Sequence, residues 1–209
     1  MLLKPHTTIL FQGDSVTDAG RRIDSLGLGD GYPKLVADIL KAKYPDYELR
    51  FVNRGVSGNR SADLVDRWQT DCIDLKPDVI TILIGVNDTW RNFDRELYTS
   101  PEEFYANIES LVTSAQSIGA YVILMEPFIM RTGHPAKNWY GWTADIDAKI
   151  VRLREIAAKY HTGYIPLMSF FSLETLTVDP KTYTADGVHP GLEGHRYIAS
   201  KVLEFLERD

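Results

Sequence analysis

Five short runs of apolar and β-branched residues recur along this chain, separated by longer amphipathic stretches. The runs are Thr7–Phe11, Leu49–Asn53, Val79–Ile84, Ala120–Met125 and Gly163–Ile165. The first four are mostly apolar rather than alternating, the pattern of parallel strands covered on both faces. Between and after the runs lie Tyr32–Lys43, Ala62–Leu75, Pro101–Ile118, Trp142–His161 and Gly191–Glu207, which carry helical spacing. Ser100-Pro101-Glu102-Glu103 is a helix start, with a capping hydroxyl, proline at the first position and acids in the first turn. Strands alternating with helices predict an α/β fold in which a parallel sheet lies between helices. No repeat, low-complexity segment or linker divides the sequence, so residues 1–209 are expected to form a single domain with a sizeable core.

Composition narrows the partners. Twenty-three basic and 29 acidic residues give a net charge of -6, with no basic stripe to track phosphates, so nucleic acid is not an expected partner. One cysteine, Cys72, excludes an intrachain disulfide and a Cys-rich metal site. No apolar run approaches the length of a membrane span, and the start of the chain lacks the long apolar stretch of a signal peptide. No membrane association is therefore expected, and a cytoplasmic location is. The acidic charge and the many aromatics leave a homo-oligomer open.

In parallel sheets the functional groups gather beyond the carboxyl ends of the strands. Ser15 follows the first run, Gly55 to Gly58 the second, Asn87 the third, and Pro127 to Trp142 the fourth, so all are expected along one edge. Gly13-Asp14-Ser15-Val16-Thr17 near one end of the chain is matched by Asp186-Gly187-Val188-His189-Pro190 near the other. Either motif alone reads as a turn. Together they offer a hydroxyl, a base and an acid. A serine hydroxyl attacks a carbonyl only when an adjacent base takes its proton and a third group orients that base. His189 would take the proton from Ser15, and Asp186 would hold the other ring nitrogen. Asp14 and Asp18 are rival acids on the nucleophile's own loop, and Asp14 reads as structural there. His195 lies within the last helical stretch and reads as packed or solvated, while His6, His134 and His161 have no matching context.

The backbone N–H groups of Ser15 and Gly58 and the uncharged amide of Asn87 are candidate donors to a developing oxyanion. Trp90 and Arg91 directly follow this asparagine segment, and Trp139, Tyr140 and Trp142 fall in the loop expected after the fourth strand. Ring faces and a guanidinium suit a sugar, although such residues also anchor interfaces and fill cores.

These segments together resemble the SGNH hydrolases, also called the GDSL family. The likeness spans nearly the whole chain: Gly-Asp-Ser at Ser15, Asn-x-Gly-x-Ser-Gly at Gly58, Gly-x-Asn-Asp at Asn87 and Asp-x-x-His at Asp186 and His189. Val16 stands where the family's nickname has leucine, and it is expected to face the core. The resemblance implies a flavodoxin-like three-layer α/β/α sandwich around a central parallel sheet. It also implies serine esterase chemistry through an acyl-enzyme, with no metal and no organic cofactor. A narrower likeness, carried by Gly13–Arg21, Gly31-Tyr32, Asn53–Asn59 and Asn87–Arg91, is to the intracellular acetylxylan esterases. It implies an acetylated xylo-oligosaccharide as the small-molecule substrate, with Trp90, Arg91 and Trp139 as substrate contacts. Activity is then expected to rise with pH as His189 loses its proton. The alternatives are a short-chain acyl esterase, thioesterase or lysophospholipase on the same scaffold, a non-catalytic carbohydrate-binding protein, and a metal-dependent hydrolase built on Asp14, Asp186 and His189.

Overall fold

The computed structural model describes residues 3–208. Five parallel strands form one sheet: β1 (Thr8–Gly13), β2 (Arg50–Asn53), β3 (Val79–Leu83), β4 (Tyr121–Met125) and β5 (Gly163–Ile165), in the order β2-β1-β3-β4-β5. Leu10 pairs with Val52 on one side and with Ile80 on the other. The chain moves one way from β1 to β2 and then crosses back to β3. The strand order therefore reverses between β1 and β3, and the crevice beyond their carboxyl ends is where such sheets bind ligands.

The helices are α1 (Ser15–Asp18), α2 (Tyr32–Lys43), α3 (Ser61–Asp71), α4 (Val86–Asp94), α5 (Pro101–Ser117), α6 (Gly133–Ala136), α7 (Trp139–Tyr160), α8 (Leu167–Glu174) and α9 (Leu192–Leu206). Alternation along the strands divides them into two layers. Ile9, Phe11, Ile123 and Met125 pack with Val36 and Leu40 of α2 and Ile198 and Val202 of α9. Leu10, Ile80, Ile82 and Leu124 pack on the opposite face with Leu64 of α3, Ile108 and Leu111 of α5 and Leu153 of α7. This is a three-layer α/β/α sandwich. Val16 joins the first layer as expected, 3% exposed.

The expected strands are all present, with no end shifted by more than two residues. The expected start of α5 also holds: the Ser100 hydroxyl accepts the Glu103 N–H at 3.0 Å, and Phe104, Ile108, Leu111, Val112 and Ala115 form the buried stripe. The stretch expected as Ala62–Leu75 breaks after Asp71 into a separate 3-10 turn at Ile73–Leu75. The short helices α1 and α6, and α4 and α8, are additions to the sequence reading. α7 begins at Trp139 rather than Trp142, because the Asn138 side chain caps it by accepting the Gly141 N–H at 3.3 Å. Trp139 is therefore a helical residue, and the segment after β4 is shorter than expected.

α4 has no capping side chain and carries three buried polar residues, Asn87, Asp88 and Thr89, in its first turn. It is held by α7. Thr89 Oγ1 donates to Asp145 Oδ1 at 2.6 Å, and Asn92 Nδ2 donates to Asp145 Oδ2 at 3.2 Å. Lys149, with no exposed side-chain area, donates to the same carboxylate and lies 5.7 Å from the Tyr98 ring centroid. Removing one partner of a buried ion pair leaves the other charge uncompensated, which typically costs about 3–5 kcal/mol. Lys149→Met is expected to lose stability on that order in urea titration. The double variant Asp145→Asn/Lys149→Met should recover part of the loss; equal midpoints for wild type and Lys149→Met would mean that the pair does not anchor α4.

Candidate active site

Ser15 is the first residue of α1, immediately beyond β1. The Asp14 side chain caps the helix by accepting the Val16 N–H at 3.0 Å. Gly13 is required just before it: a Cβ there would lie 2.3 Å from Thr17 Oγ1 and 2.4 Å from the Leu83 carbonyl oxygen. This close approach of β1 to the end of β3 sets Ser15 at the reversal of the strand order.

From the other end of the chain, the segment 184–190 folds back on itself. Thr184 and Pro190 form an isolated antiparallel bridge, and the Gly191 N–H donates to the Tyr183 carbonyl at 2.8 Å. The segment is also stitched to the stretch beyond β4. Met130 N–H donates to the Gly187 carbonyl at 2.8 Å, and His134 N–H to the Asp186 carbonyl at 3.0 Å. Gly187 adopts φ +90°, and a Cβ there would lie 2.4 Å from the Thr132 carbonyl oxygen, so no side chain is tolerated at this join.

The result brings together three groups from the chain's two ends. Ser15 Oγ lies 2.9 Å from His189 Nε2, and His189 Nδ1 lies 2.6 Å from Asp186 Oδ2. A carboxylate opposite Nδ1 keeps the proton there, which leaves Nε2 free to accept from the hydroxyl. Burial opposes the charge on Asp186. It is outweighed by the hydrogen bond from His189 and by the N–H groups of Val188 and His189, which hold the carboxyl at about 2.

The rival acids are turned elsewhere. Asp14 is buried, which pushes its carboxyl up to about 7 against the Val16 N–H and the nearby His189. Asp18 accepts from Ser57. Among the described residues no group of three or more His, Cys, Asp or Glu side chains is placed to hold a metal ion. The donor set of Asp14, Asp186 and His189 therefore does not converge.

Asn87 occupies the first turn of α4. Its Nδ2 donates to the Asn59 carbonyl at 3.0 Å, and its Oδ1 accepts from Arg91 at 3.4 Å, which orients the amide. One Nδ2 proton remains for the cleft. Gly58 stands in the turn before α3 at φ +84°. Ser15, Gly58, Asn87, Trp90, Arg91 and His189 all line one open cleft of about 460 Å³.

The Trp90 ring forms a wall there, 5.8 Å from the His189 ring, 5.0 Å from His134 and 5.7 Å from the buried Trp142. Beyond Trp90 lies a second groove of about 280 Å³ with Phe93, Asp94, His134, Lys137 and Asn138 on its walls. Trp139 is not brought to the cleft. It lines a separate groove with Ile129, Met130 and Phe171, because its place at the start of α7 turns it away. Trp142 is a core residue, and Tyr140 is 79% exposed.

His134 and His195 line these cavities although no sequence motif marks them. His195 is buried, and its Nδ1 accepts the Tyr32 N–H at 3.2 Å, so the ring is neutral with its proton on Nε2.

The sequence profile of the GDSL-like lipase/acylhydrolase family matches residues 11–197. This chain is a member of that family. It is 35% identical to an acetylxylan esterase of Geobacillus stearothermophilus, over 93% of this chain and 91% of the relative. An arylesterase of Vibrio mimicus is 26% identical, over 95% of this chain and 87% of the relative. A solved structure of a catalytic mutant of the Geobacillus stearothermophilus acetylxylan esterase superposes with a TM-score of 0.90 at 32% identity, covering 100% of this chain and 98% of that one. The chain is thus a carboxylic ester hydrolase. No helix among the described residues is long and apolar enough to cross a membrane.

Burial holds the His195 imidazole down to about 4, against an ordinary value of 6.5, with the Asp30 charge pulling weakly the other way. The unfolded chain therefore takes up this proton near pH 6.5, and the folded chain only near pH 4. Stability falls as pH drops through that window, by roughly 2 kcal/mol between pH 7 and pH 5 from this group. Asp14 titrates in the opposite sense and is common to both proteins, so comparison with His195→Gln isolates the histidine. The gap in unfolding free energy between the two is expected to change by that amount from pH 7 to pH 5; a constant gap would show that His195 does not titrate as a buried base.

Proposed function

We propose that this protein is a serine esterase that removes acetyl groups from acetylated xylo-oligosaccharides. The observation that carries the reading is the relay Asp186–His189–Ser15 opening into a cleft walled by Trp90 and Arg91. Ser15 Oγ attacks the ester carbonyl while His189 Nε2 takes the hydroxyl proton. The charge that develops on the carbonyl oxygen is met by the N–H groups of Ser15 and Gly58 and by Asn87 Nδ2. Ser15 stands at the first position of α1, where a backbone N–H has no intrahelical acceptor. His189 then returns its proton to the departing sugar hydroxyl, leaving an acetyl group on Ser15. Water, deprotonated by the same histidine, attacks that acetyl ester and releases acetate and the free serine. Asp186, ionised well below neutral pH, stabilises the imidazolium in both halves.

The sugar assignment rests on the cleft's walls and on the relatives. Trp90 offers a ring face to the C–H face of a pyranose, and Arg91 lies over the same ring at 5.6 Å with donors for sugar hydroxyls. The second groove continues past Trp90 and mixes the Phe93 ring with polar side chains, which suits further sugar units.

Hydrolysis of 4-nitrophenyl acetate and of acetylated xylo-oligosaccharides by wild type, Ser15→Ala and Trp90→Ala tests both halves of the reading. Ser15→Ala is expected to lose at least about 10³-fold in kcat on both substrates. Trp90→Ala is expected to raise KM for the oligosaccharide several-fold with less effect on the nitrophenyl ester. Cleavage of the nitrophenyl ester alone by wild type would remove the sugar assignment and leave the mechanism. A Ser15→Ala protein as active as wild type would remove the mechanism.

A further inference from the structure

Gly58 lies between two serines, and each of them is gripped twice by an aspartate. Ser57 donates its N–H at 3.1 Å and its hydroxyl at 2.7 Å to Asp18 Oδ2. Ser61 donates its N–H at 2.9 Å to Asp88 Oδ2 and its hydroxyl at 2.6 Å to Asp88 Oδ1. The two aspartates belong to different walls of the cleft. Asp18 ends α1, three residues after Ser15. Asp88 directly follows Asn87 on α4 and has no exposed area. The segment 55–61 is thereby sewn on one side to the helix of Ser15 and on the other to the helix of Asn87. One further contact tightens each seam. A Cβ on Gly55 would lie 2.3 Å from the Asp18 nitrogen, and Asn107 Nδ2 donates to the Ser61 hydroxyl at 3.0 Å.

We propose that Asp18 and Asp88 are positioning residues that fix the Gly58 N–H relative to Ser15 and Asn87, so that the three oxyanion donors keep one spacing. This rests on the reading of Ser15, Gly58 and Asn87 given above. The physical demand is strict, because donors aimed at a developing charge help only if they need no reorganisation when it forms. A glycine at positive φ between two turns has no side chain of its own to hold it. Carboxylates are suited to the task, since a charged acceptor makes shorter and stronger hydrogen bonds than a neutral one and each can accept both donors of a serine. Asp88 is the more demanding case: a carboxylate without exposure is tolerable only where its oxygens are hydrogen-bonded.

The test is steady-state kinetics on 4-nitrophenyl acetate with Asp18→Asn, Asp88→Asn, Ser57→Ala, Ser57→Thr and Ser61→Ala, alongside Ser15→Ala and circular dichroism melts. Displacing a group at the chemistry by about 1 Å can cost about 10²-fold in rate, so each aspartate variant is expected to lose about 10- to 100-fold in kcat with KM changed less than about threefold. Ser57→Thr, which keeps both donors, should restore what Ser57→Ala loses. In an Asn87→Ala background, Asp88→Asn should cost far less than it does alone. Should Asp88→Asn fail to fold, Ser61→Ala reports on the same clamp. Folded variants with wild-type kcat, or an Asp88→Asn loss that is undiminished in the Asn87→Ala background, would overturn the proposal. An active Ser15→Ala protein would instead overturn the reading of the site beneath it, and the two failures are therefore distinct.

Discussion

The contact between Ser15 Oγ and His189 Nε2 joins residues 174 positions apart, and the site depends on that meeting. A half-exposed hydrogen bond contributes about 1 kcal/mol net and cannot hold two chain ends together by itself. The fold does that work first. β1 is an inner strand, buried between β2 and β3, so the residues beyond it are fixed to the molecule's centre. The segment carrying His189 is fixed by backbone hydrogen bonds to the stretch beyond β4, by the buried Val188 and by the packing of α9 on α2. The relay is therefore a consequence of packing and not a cause of it. This is why its members can be spent on chemistry.

The acids of the site show how environment separates residues of one type. Asp186 is partly exposed and accepts from His189 Nδ1, from the N–H groups of Val188 and His189, and from the Thr184 hydroxyl, which keeps it charged. Asp14 is buried, and burial raises its carboxyl to about 7. Asp88 is equally buried, and desolvation raises it too, although Ser61 offers both its donors. A group that must face an imidazolium has to lie against its ring nitrogen, and among these Asp186 alone does so. Distance from the histidine and the number of donors decide the matter, which residue type and sequence proximity to Ser15 leave open.

Much of this was legible in the sequence because strand ends and motifs coincide. Thr7–Phe11, Val79–Ile84 and their counterparts read as covered parallel strands, and three polar motifs directly follow them, so the convergence of Ser15, Gly58 and Asn87 followed from the topology, whereas His189, far beyond β5, was marked only by its Asp-x-x-His motif. α4 was not legible: it has only nine residues, no capping side chain and three buried polar groups in its first turn, so its short apolar face of Val86, Trp90 and Phe93 does not stand out, and it is held through Trp142, Asp145 and Lys149 of α7. Trp139 was misplaced for a related reason. The Asn138 cap extends α7 by three residues and turns that ring toward α8, and an asparagine before a Trp-Tyr-Gly-Trp run does not announce a helix start. His134 and His195 reach the cavities through tertiary contacts alone, and no spacing in the sequence marks them.

The placement of α4 ties recognition to chemistry. Asn87, Trp90 and Arg91 lie on consecutive turns of one short helix, and that helix is fixed from below by Thr89 and Asn92 on Asp145. Arg91 also donates to the Asn87 amide oxygen, so the group over the Trp90 ring and the group aimed at the carbonyl share a hydrogen bond. A ligand that presses on Trp90 therefore meets a wall that cannot yield without moving Asn87. On the proposed mechanism, binding energy gathered on the ring would set the ester against the proposed oxyanion donors, and a substrate too small to reach the ring would forgo that alignment. Rigid attachment of α4 is thus as much a part of the site as the residues that line it.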